Sequence, residues 1–141
     1  MNLMDFTLLT KNLPALFAAL FTAILFIQSG LDKVFDWKGN LEWLTSHFSK
    51  TILAGMVPVM LGTITLLELA TGIVAAGGFA KAVLTGDTIF IFVSSILGAA
   101  ALTALFFGQR IAKDYPGAAV LVPYFILLLI MMWLTSPSAR V

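Results

Sequence analysis

The apolar run from Ile52 to Phe79 contains one charged residue, Glu68, about sixteen residues from its start. That places a carboxylate near the middle of any bilayer the run crosses. A charge at such depth costs roughly 2.5–3.5 kcal/mol or more, so the group must face protein or trapped water, pair with a partner or stay neutral. On a helical wheel Thr65, Thr71, Gly72 and Ala75 share its face, with Leu66 and Ile73 opposite. The carboxylate therefore sits on a small and polar stripe, where an inward-facing group belongs.

Three further apolar stretches accompany it, at 13–31, 88–108 and 117–134. Composition agrees: the chain of 141 residues is 60% hydrophobic and 11% charged, against about 25% charged in a soluble domain. The expected fold is all-α, one domain, a membrane-embedded antiparallel four-helix bundle with spans at 13–31, 52–79, 88–108 and 117–134. A net charge of +1 without a basic cluster excludes nucleic acid as a partner. With no cysteine and a single histidine, His47, the chain lacks the ligands for a thiolate or histidine metal cage, so no metal is expected.

Residues 1–12 read as an interfacial turn before the first span. Within that span Ala15, Ala19, Ala23, Gly30 and Lys33 share one arc, with Ser29 beside it and Gln28 turned away; small residues on one stripe let helices approach closely. Between spans one and two, Trp37, Leu41, Leu44 and Phe48 fall at i, i+4, i+7 and i+11. This spacing predicts an amphipathic helix lying in the interface, capped by Asn40 and anchored by His47. Pro58 is placed to kink the second span, and Gly77, Gly78 and Lys81 are expected to end it. Pro116 suits the first turn of the fourth helix.

The candidate site joins Glu68 to Lys33, Ser29 and Thr65. Lys33 lies about 15 Å from the midplane at 1.5 Å per residue, so either a tilted helix or a bridge through Ser29, Thr65 or water is expected rather than direct contact. Two roles stay open: a polar pair that sets helix register, or a proton relay or polar anchor for a quinone-like ligand. Arg110 and Lys113, in the loop before the fourth span, either contact anionic lipid headgroups or another anion, or form a solvated basic loop. The balance of Lys33, Lys38, Lys50, Arg110 and Lys113 against Lys11, Lys81 and Arg140 puts both termini on the periplasmic side.

Ser29-Gly30-Leu31-Asp32-Lys33, Glu68 with Gly72, and Tyr115-Pro116-Gly117-Ala118-Ala119, in that order and spacing, resemble the DoxX family of small four-span bacterial membrane proteins. The resemblance covers nearly the whole chain. It implies residence in the bacterial inner membrane, proximity to quinone and membership of a larger membrane complex. The family's founders look like the membrane subunit of a thiosulfate:quinone oxidoreductase and a partner of terminal quinol oxidases. Sulfur chemistry does not carry over to a chain without cysteine. The expected function is thus an accessory subunit of a quinone-linked redox complex; the alternative is a small proton-coupled permease. No stand-alone catalytic constellation is visible.

Overall fold

A computed structural model describes residues 3–140. It is helical almost throughout: α1 (Leu3–Phe35), α2 (Trp37–His47), α3 (Val57–Thr85), α4 (Ile89–Ile111) and α5 (Tyr115–Thr135). Four of these, all but α2, are long and apolar enough to cross a membrane. α1 packs along α3, α3 along α4 and α4 along α5, while α1 and α5 meet over a shorter stretch. Close approaches set the directions. A Cβ on Gly72 would stand 2.7 Å from the Ile27 nitrogen, and one on Gly30 would meet Leu69, so α1 and α3 are antiparallel. Gly78 against Ile91, and Gly98 against Thr71, give the same for α3 and α4.

The seam between α1 and α3 follows the small-residue stripes. Ala15, Ala19, Ala23 and Gly30 of α1, and Gly72, Ala75 and Gly78 of α3, are buried. Between them stand Leu16, Phe26, Leu61, Ile64, Ile91, Leu102, Leu128 and Met131. Several hydroxyls in this interior bond to carbonyls of their own helices: Thr71 donates to Leu67 O, Ser94 to Ile91 O and Thr135 to Met131 O. These polar groups therefore need no partner from another helix. Large side chains such as Phe17, Leu66, Ile73 and Trp133 cover the outside.

Several boundaries differ from the sequence expectation. The expected turn over residues 1–12 is, from Leu3 onward, the opening of α1; residues 1 and 2 lie outside the described residues. Asn12 is buried and its Nδ2 donates to Gly86 O at the end of α3. α3 starts at Val57 rather than Ile52, and Pro58 occupies its first turn without kinking it; there a missing N–H is harmless. Gly77 and Gly78 do not end α3. Gly78 instead admits the α4 backbone, and termination falls to Gly86 at φ 75, a left-handed cap that glycine adopts without cost.

The amphipathic connector helix is present, with Leu41, Leu44 and Phe48 packed inward. Its cap, however, is Asp36, whose side chain accepts from Gly39 N. Asn40 serves the preceding helix, its Nδ2 donating to Asp36 O and Asp32 O.

Candidate functional site

Glu68 stands on α3 about 5 Å from that helix's centre, at 1.5 Å per residue. Ser29 faces it from α1. Ser29 Oγ donates to Glu68 Oε1 at 3.0 Å, and Lys33 Nζ forms an ion pair with Glu68 Oε2 at 2.9 Å. The ammonium also donates to Ser29 O at 3.3 Å and to Ser29 Oγ at 3.1 Å. The carboxylate is sealed, with 3% of its side chain exposed, whereas 17% of Lys33 reaches the surface. Although Oε2 is at ion-pair distance, no donor meets it with hydrogen-bond alignment.

The direct Lys33–Glu68 contact overturns the expectation of a bridged pair. Helical side chains lean toward the N-terminus of their own helix. Lys33, one turn beyond Ser29, therefore reaches back toward the level of Glu68. Because α3 runs the other way, Glu68 leans toward Lys33. Gly30 beside Leu69 and Ile27 beside Gly72 put Glu68 level with Leu31, so the two inclinations have only about 3 Å along the helix axes to close.

Thr65 shares the buried face but stays out of the network: its hydroxyl donates to Leu61 O at 2.6 Å. Arg110 and Lys113 are exposed and lie apart from this site, at the α4–α5 corner. The Arg110 guanidinium lies over the Tyr115 ring, 4.4 Å from its centroid.

The same corner contains an arrangement that sequence reading did not assemble. His47, closing α2, stacks on Trp43 and its Nε2 lies 2.9 Å from Gln109 Oε1. Asp114 Oδ2 is 3.8 Å from that nitrogen, while Oδ1 accepts from Gly117 N and caps α5. His47 thereby ties the connector helix to the end of α4 and the start of α5. An aspartate two residues before Pro116 signals the cap; nothing in the spacing pairs it with His47.

Among the described residues no three of His, Cys, Asp and Glu gather as a metal site. No protein-family model, curated protein or solved structure matches this chain.

Proposed function

We propose that this chain is a membrane-embedded four-helix bundle serving as an accessory subunit of a quinone-linked redox complex, with Lys33, Ser29 and Glu68 as its working polar core. The observation that carries the proposal is the Lys33–Glu68 pair, whose Glu68 is the one buried charged residue among the described residues. A quinone carbonyl needs a hydrogen-bond donor, and a quinol hydroxyl needs an acceptor. The pair sets an ammonium against a carboxylate oxygen 2.9 Å away, with the ammonium the more exposed of the two. The partly exposed Lys33 is the side from which a headgroup would approach. Support for a larger assembly comes from the resemblance to the DoxX family.

Native purification in mild detergent tests the assembly. Oxidoreductase chains are expected to co-migrate, and added quinone to raise the unfolding temperature. The K33M/E68L variant should lose the quinone response. A chain that migrates alone and is indifferent to quinone would refute the proposal.

A further inference from the structure

α4 ends in a complete Schellman motif. Asp114 N donates to Gln109 O at 2.9 Å and Lys113 N to Arg110 O at 3.2 Å. The left-handed position of that motif is normally taken by glycine, and here it is Lys113, at φ 57. It is the one non-glycine residue with positive φ among the described residues. The molecule supplies its own comparison: α3 ends on Gly86 at φ 75. A bulky side chain held in this conformation is a backbone cost that needs a reason outside local folding.

The surrounding charges supply one. Neither Lys113 nor Arg110 has an ion-pair partner among the described residues, and both are exposed. The adjacent carboxylate, Asp114, is engaged with Gly117 N and faces His47. The Arg110 guanidinium lies over the Tyr115 ring, 4.4 Å from its centroid, a contact that steadies the cation while leaving N–H groups available to an oxyanion. Exposed Tyr115 and Trp43 lie at this corner, aromatic residues of the kind that settle at headgroup level.

We propose that Arg110 and Lys113 form a binding site for the phosphate of an anionic phospholipid headgroup at the α4–α5 corner. The shared chemistry is a phosphate oxyanion; the aromatic flank and the end-of-helix position favour a lipid over free phosphate. The inference rests on the membrane embedding proposed above and is independent of the redox role.

The test uses the full chain in uncharged detergent micelles, titrated with phosphatidylglycerol, phosphatidylcholine or inorganic phosphate while thermal unfolding is followed. Phosphatidylglycerol is expected to raise the midpoint, and the other two are not. R110Q and K113G should each weaken the apparent phosphatidylglycerol affinity about fivefold, the weight of one cation at an anionic surface. K113G should at the same time raise the lipid-free midpoint, because glycine accepts the left-handed conformation. K50Q, on the connector between α2 and α3, should leave the affinity unchanged. An unaltered phosphatidylglycerol response in both R110Q and K113G would overturn the site, as would equal stabilisation by phosphatidylcholine. Reproduction of the shift by inorganic phosphate would overturn the lipid assignment. Reconstitution into phosphatidylcholine vesicles followed by flotation reports embedding separately.

Discussion

Replacing Glu68 by glutamine removes the counter-charge of Lys33 while keeping a hydrogen-bonding group in place. At the 2.9 Å separation of the pair, the attraction is about 6 kcal/mol at an effective dielectric of about 20. Removing the two ions from water costs several kcal/mol each, so the intact pair contributes little net stability. Breaking it is another matter, since one charge is then left without compensation. Loss of a partner in a buried pair costs about 3–5 kcal/mol. E68Q should fall near 3 kcal/mol, because Lys33 is 17% exposed and keeps its bonds to Ser29. K33M should cost more, about 4 kcal/mol, because the stranded carboxylate is only 3% exposed. The double variant K33M/E68L removes both charges and should return to within about 1 kcal/mol of the parent. The assay is SDS-induced unfolding in mixed micelles, followed by far-ultraviolet circular dichroism. Single-variant losses under about 1 kcal/mol that simply add in the double variant would refute the coupling.

Gly72→Ala should destabilise by about 2 kcal/mol, since its Cβ would meet Ile27 backbone at 2.7 Å, whereas Gly77→Ala has nothing within 4 Å and should gain up to about 1 kcal/mol; the same unfolding assay compares them. Asp114→Ala removes the α5 cap and should cost about 1 kcal/mol. Asp114→Asn, which can still cap, should lose only a fraction of that. With Glu68 sealed, reconstituted protein should carry no proton flux above empty liposomes in a pH-jump dye assay. Flux abolished by E68Q would instead point to a carrier.

Much of this arrangement was legible in the residues. The inward face of α3 followed from the shared arc of Glu68, Thr65, Thr71 and Gly72, and all four are buried. The close seam between α1 and α3 followed from alanine and glycine at helical spacing. Helix ends were harder to read. Gly78 resembles a terminator in sequence, yet it is buried where α4 approaches; only the neighbouring helix distinguishes those roles. Asn12 likewise looks like the edge of a span until Gly86 O is found beside it. The Lys33–Glu68 contact was missed because helix spacing reports backbone level and not the lean of side chains. Thr65 shows the converse limit: sharing a face with Glu68 did not make it a partner, because its hydroxyl finds a carbonyl one turn back.

Lys33 and Glu68 meet directly inside the bundle, with the carboxylate sealed from the surface. Solid-state NMR on protein in lipid bilayers, with ¹⁵N at lysine Nζ and ¹³C at glutamate Cδ, measures that contact through dipolar recoupling, with E68Q identifying the Glu68 signal. A strong recoupling build-up consistent with the 2.9 Å Nζ–Oε2 separation, lost in E68Q, is the expected result. No build-up above the natural-abundance background would place the two groups apart and contradict the account.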